Sequence, residues 1–255
     1  MPHVDVDGVR IHYRVTGAPS ERLPLLLSHG YSASTAMWEP NLAALASERQ
    51  VVTWDMRGHG KSDSPNDPVC YSEALGVTDM GAVLDCVEAE RAVLGGLSLG
   101  GYFSLAFYLA HPERVAALVL CDTGPGFKRD ESRDAWNRQM EEVARNLEAG
   151  RTDVLPERAE VAPAAQQDAR GLALAARGLV AQRDRRVIDA LPNIRVPALV
   201  VVGADDTPFR DAAEYMASKI PGAELVVIPD AGHASNIDQP AEFNRRVLEF
   251  LAAVP

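Results

Sequence analysis

The sequence predicts an α/β protein in which a mostly parallel sheet is flanked by helices, and two observations carry that reading. Short apolar runs bounded by Gly-rich or polar turns alternate with stretches whose apolar residues recur at helical spacing. A strandless segment from about Gly124 to Leu191 interrupts the alternation, which then resumes.

The first element, VDVDGVRIHYRV, alternates apolar and polar residues around Asp7-Gly8, a dipeptide suited to the positive φ angles of a tight turn; a β-hairpin is expected. LPLLLSHG (23–30), QVVTWD (50–55) and RAVLGGLS (91–98) are apolar enough to be strands buried on both faces. Between them, 36–48 and 72–89 carry helix-spaced apolar positions. After Ser98 a helix is expected to about His111, where Pro112 stops it, and VAALVLCD (115–122) forms the next strand. Within the strandless stretch, Trp136, Met140, Val143 and Leu147 recur at helical spacing, and an Ala-rich helix is expected over 164–182. Two more strands, VPALVVVG (196–203) and AELVVIPD (223–230), are separated by a helix near 209–219 and followed by another near 240–252. The chain thus divides into a core, 1–123 with 192–255, and a helical insertion, 124–191, placed after the sixth strand or so.

Charge and composition exclude several classes of function. The 255 residues, 47% of them hydrophobic, suffice for one domain with a sizeable core. With 36 acidic against 25 basic residues the net charge is -11, which repels phosphate backbones and anionic headgroups, so neither nucleic acid nor membrane is an expected partner. Cys70, Cys86 and Cys121 form no C-x-x-C pair, the amino terminus lacks a basic segment followed by an apolar run, and no window approaches eighteen uninterrupted apolar residues. A soluble, cytoplasmic protein is expected, and the sequence leaves a homo-oligomer open.

Gly96-Leu97-Ser98-Leu99-Gly100 matches G-x-S-x-G, and it lies between an apolar strand and a helical run, the context that motif requires. A sharp strand-to-helix turn holds its central residue in strained backbone angles and needs neighbours without side chains; Gly96, Gly100 and Gly101 supply them. Ser98 would then project above the carboxyl edge of the sheet, at the positive end of the following helix. A serine hydroxyl is a weak nucleophile, so the reading requires a base and an acid that orients it.

His233, in DAGHASNIDQP, is the one histidine of six that sits in a loop after a late strand and downstream of an acid, as the order Ser, acid, His demands. An imidazole can take a serine proton during attack and return it to the leaving group. The acid is preferentially Asp206, with Asp205 beside it and Asp122 at the end of another strand as alternatives. Only one of Asp205 and Asp206 can face His233. The His29-Gly30-Tyr31 turn opens toward the same sheet edge, where backbone N–H groups there and at Leu99 could bind a developing oxyanion.

HGYSAS, DMRGHGKSD, GLSLGG, GADDTP and AGHASNIDQP, in this order and near this spacing, resemble the α/β-hydrolase family over essentially the whole chain. The resemblance implies the α/β-hydrolase fold, with Ser98 as nucleophile, His233 as base, and the N–H groups of Tyr31 and Leu99 as the oxyanion hole. It places the acid three residues after Gly203, at Asp206, although Pro208 follows sooner than the family pattern has it. Arg57 to Asp63 look like the family's structural turn, with His59 a hydrogen-bonded turn residue. The insertion corresponds to a short cap that would roof the site, with Tyr31, Phe127 and Trp136 lining it. The implied chemistry is acyl transfer to water from a small-molecule ester or lactone, with no metal or organic cofactor, similar to 3-oxoadipate enol-lactonases and small carboxylesterases. A cofactor-free haloperoxidase or perhydrolase, a C–C bond hydrolase and a non-catalytic ligand receptor share the scaffold.

Overall fold

Asp7 and Gly8 both adopt positive φ, 52° and 82°, and close a hairpin between β1 (His3–Val6) and β2 (Val9–Thr16). The structure is a computed structural model that describes residues 2–155, 158–161 and 168–254. The chain continues through β3 (Leu25–Ser28), α1 (Glu39–Leu45), β4 (Val51–Trp54), α2 (Glu73–Cys86), β5 (Ala92–Leu97), α3 (Leu99–Ala110) and β6 (Val115–Cys121). A 3-10 turn at Thr35–Trp38 leads into α1, and Ser72 caps α2 by accepting from Leu75 N at 3.2 Å. The eight strands form one sheet in the order β1-β2-β4-β3-β5-β6-β7-β8, with β7 at Ala198–Gly203 and β8 at Glu224–Ile228. β3 to β8 run parallel to one another, and β2 is antiparallel to both β1 and β4.

Every residue of β3 to β7 is buried, which explains why these strands read as continuous apolar runs. Alternate residues face opposite sides. Leu26, Val52, Leu94, Leu118 and Val200 pack under α2, α3 and α7 (Thr207–Lys219), whereas Leu25, Leu27, Val51, Val93 and Val119 pack under α1 and α9 (Pro240–Leu251). The chain leaves β3 toward β4 and leaves β5 toward β6, on opposite sides, so the connections diverge between β3 and β5. That divergence opens a crevice at their carboxyl ends.

Between β6 and β7 the described residues contain helices and no strand: α4 (Asp130–Glu148), α5 (Ala169–Ala175) running into a π-helical turn at Ala176–Val180, and α6 (Arg186–Ala190). Met140, Ala144 and Leu147 form the buried face of α4. Residues 164–167 of the expected Ala-rich helix lie outside the described residues, and the helical backbone ends at Val180. Trp136 Nε1 donates to Val180 O at 3.1 Å, Asn137 exchanges two 2.8 Å hydrogen bonds with the backbone of Gln182, and Arg177 pairs with Glu141 at 2.7 Å, so α4 is zipped to this turn.

The DMRGHGKSD segment is a buried polar turn. Asp55 accepts from Thr35 N at 2.6 Å and Lys61 N at 2.9 Å, and Arg57 makes a two-pronged pair with Asp79 of α2 at 2.7 and 2.6 Å while donating to Cys70 O. Both partners of that pair are almost wholly buried. Asp79→Ala is therefore expected to cost about 3–5 kcal/mol by urea unfolding, because the Arg57 guanidinium would remain in the interior without its counter-charge.

Candidate active site

Ser98 sits at the carboxyl end of β5 with φ 54° and ψ -116°, a combination that ordinary residues avoid. Its backbone is pinned from three directions: its N–H donates to Cys121 O at 2.9 Å, and its carbonyl accepts from Thr123 Oγ1 at 2.5 Å and from Gly101 and Tyr102 N–H of α3. The glycines around it are sterically required. A methyl on Gly96 would stand 2.2 Å from the Gly100 carbonyl carbon, one on Gly100 2.2 Å from Ser28 O, and one on Gly101 2.5 Å from Thr123 Cγ2. α3 thus starts hard against the end of β3, and Ser98 is left half-buried above the sheet edge.

The His29-Gly30-Tyr31 turn faces this elbow across the crevice. A methyl on Gly30 would lie 3.5 Å from Ser98 Cβ. Met56 N–H donates to His29 Nε2 at 2.9 Å, so that nitrogen is unprotonated and Nδ1–H donates to Gly30 O at 2.6 Å. Burial pushes the His29 pKa down and keeps the ring neutral. Tyr31 N–H finds no backbone acceptor among the described residues, and Leu99 N–H, at the first position of α3, has no intrahelical one. Both lie in the segments that flank Ser98. His59 is buried, with Nδ1 3.2 Å from Arg57 O and its pKa lowered to about 3, chiefly by burial and then by His29.

His233 Nδ1 lies 2.8 Å from Asp206 Oδ2, and both side chains are buried. The turn after β7 separates the two adjacent aspartates: Asp206 N donates to Gly203 O at 3.2 Å and its side chain points inward, whereas Asp205 is exposed. Pro208 follows so closely because α7 begins at Thr207, with Asp206 as its N-terminal flanking residue and Pro208 within its first turn.

Asp122 does not face His233 with a hydrogen bond. It is fully buried just beyond β6 at φ 45°, where it accepts from Gly203 N at 2.7 Å, Ser235 Oγ at 2.5 Å and Ser235 N at 3.3 Å. Gly203 lies three residues before Asp206 and Ser235 two after His233, so this carboxylate ties together the loops that carry both. Burial pushes its pKa up to about 7, against the hydrogen bonds that favour ionisation. The native protein therefore keeps a proton that the unfolded chain has lost above about pH 4, and the corresponding stabilisation disappears as pH rises to about 7. In urea unfolding, the stability of the wild type relative to Asp122→Asn is expected to fall between pH 5 and pH 8; a constant difference would remove this titration.

Of the expected lining residues, Tyr31, Phe127 and Trp136 are half-buried. Tyr31 OH donates to Leu172 O of α5 at 2.9 Å, which links the His29-Gly30-Tyr31 turn to the helical insertion. Phe127 and Trp136 pack together, with ring centroids 6.0 Å apart. Sequence reasoning missed Phe209, whose ring lies against His233. Its only signal was the early Pro208, which starts α7 soon enough to bring residue 209 to the histidine.

A model of the alpha/beta hydrolase family matches residues 25–246. The chain is 29% identical to 3-oxoadipate enol-lactonase 1 of Acinetobacter baylyi over 92% of its length and 91% of that protein's. Among solved structures, it resembles a thermophilic esterase from Thermogutta terrifontis at TM-score 0.82 and 29% identity, covering 99% of this chain and 98% of the other. It also resembles the enol-lactonase from Burkholderia xenovorans at TM-score 0.78 and 28% identity, covering 98% and 100%. No helix among the described residues is long and apolar enough to cross a membrane.

Proposed function

Because the chain belongs to the alpha/beta hydrolase family, we propose that it is a carboxylic ester hydrolase that cleaves an ester or lactone through an acyl-enzyme on Ser98. Two observations support this reading: the 2.8 Å contact between His233 Nδ1 and Asp206 Oδ2, and the strained backbone of Ser98 at a strand-to-helix elbow. A carboxylate there holds the proton on Nδ1 and leaves Nε2 free to act as base.

Ser98 Oγ attacks the carbonyl carbon as His233 Nε2 takes the hydroxyl proton. Negative charge develops on the carbonyl oxygen, where the N–H groups of Tyr31 and Leu99 and the positive end of α3 stabilise it. The imidazolium, held by Asp206, passes its proton to the departing alkoxide, and the acyl group remains on Ser98. A water molecule then gives a proton to His233 while attacking the acyl carbon, and collapse releases the acid and restores the serine. Residues 124–191 act as a cap over the crevice, with Tyr31, Phe127 and Trp136 lining the acyl pocket.

The test is turnover of a panel of short and medium-chain esters and small lactones, with and without hydrogen peroxide. The expected result is hydrolysis without peroxide, with an initial burst of alcohol before steady release of acid whenever deacylation limits the rate. Reaction that depends on peroxide, or none on any member, would contradict the reading.

A further inference from the structure

The hydrogen bond to Asp206 restrains the edge of the His233 ring but only weakly restrains its tilt, since such bonds tolerate tens of degrees of bending. A general base must nonetheless present Nε2 to Ser98 in a narrow range of directions. A second contact is supplied by Phe209, whose ring lies over that of His233 at a centroid separation of 4.6 Å and an interplanar angle of 35°. The two rings are tilted against each other at a centroid separation within the range over which aromatic pairs attract.

Phe209 is itself well anchored. Its N–H donates to Asp206 O at 3.0 Å, so the carboxylate at the ring's edge and the aromatic on its face come from one turn at the start of α7. Its own ring packs against the core, and a methyl on Gly124 would lie 4.0 Å from its Cδ1. The spacing of Asp206 and Phe209 is fixed by Thr207-Pro208, the short connection that starts the helix at once.

We infer that Phe209 is a positioning residue for the general base: it holds the plane of His233 from one face while Asp206 holds its edge, and it stabilises the imidazolium formed during acyl transfer. This rests on the Ser98–His233–Asp206 reading. An aromatic face attracts a cation, so the contact strengthens as the proton arrives on His233. Its effect falls on kcat and is independent of the acyl group.

The experiment measures kcat and KM for Phe209→Leu, Phe209→Met and Phe209→Tyr on acetate, butyrate and hexanoate esters of p-nitrophenol. Ser98→Ala and Asp206→Asn are measured in parallel. Leu and Met keep apolar volume without an aromatic face and are each expected to lower kcat about 10-fold, by the same factor on all three esters, with KM within about twofold. Tyr restores kcat to within about twofold of wild type. Labelling by a small fluorophosphonate, which makes little use of the acyl pocket, should slow in parallel. A raised KM, a loss that grows with chain length, wild-type kcat in the Leu and Met variants, or no recovery with Tyr would overturn the inference. If Ser98→Ala and Asp206→Asn lose activity while Phe209→Leu and Phe209→Met do not, only this inference fails. If the first two keep activity, the underlying triad fails.

Discussion

Ser98→Ala is expected to lower kcat/KM for ester hydrolysis by about 10⁴- to 10⁶-fold, the range found when the nucleophile of a serine triad is removed. The residual rate reflects binding and an oxyanion site that still polarises the carbonyl toward water. Folding should survive the change. Ser98 contributes its backbone to the elbow through Cys121 O, Thr123 Oγ1 and the first turn of α3, and alanine keeps all of these. A small change in Tm of either sign is compatible with this; a large loss of Tm would mean that the side chain is structural. The measurement is steady-state turnover of one good ester with circular dichroism melting as the control.

Asp206→Asn is expected to lower kcat by about 10⁴-fold with little change in fold, since the amide occupies the same volume. An amide can donate to His233 Nδ1, which favours the tautomer with the proton on Nε2, the nitrogen that must be vacant to accept from serine. Asp205→Asn, at the adjacent residue of the same turn but exposed, should remain within about twofold of wild type. Asp122→Asn should fall between them, because Asp122 acts on the loops of both Asp206 and His233 and touches neither reacting group. A loss in Asp205→Asn larger than that in Asp206→Asn would reassign the acid.

Much of this arrangement was legible in the sequence for physical reasons. Strands β3 to β7 are buried on both faces, so burial itself wrote their continuous apolar runs, and only their ends were overestimated, by at most two residues at either end. The elbow was legible because close packing of Gly96, Gly100 and Gly101 against backbone and Thr123 leaves no room for a side chain. Asp7-Gly8 announced its hairpin through positive φ at both positions.

Other features leave no such trace. The π-helical turn at Ala176–Val180 and the four-residue α8 (Ser235–Asp238) depend on tertiary hydrogen bonding, the first on partners in α4, and neither has a pattern long enough to show a period. Adjacent Asp205 and Asp206 are chemically identical, and only the turn made by Asp206 N and Gly203 O decides which one faces inward. Asp122 reads in sequence as a strand-ending acid available to His233. Its actual partners, Gly203 and Ser235, are 81 and 113 residues away, a separation that no local pattern encodes. Phe209 is the same case: an ordinary helix residue in sequence, placed on the histidine by a connection two residues long.

Activation of Ser98 by its neighbours is tested most directly by fluorophosphonate labelling. Mass spectrometry of the digested adduct should place a single phosphonyl group on Ser98 in the wild type, at a rate reduced by at least about 10²-fold in Asp206→Asn. An unmodified Ser98, a label on another residue, or equal labelling rates in the two proteins would contradict it.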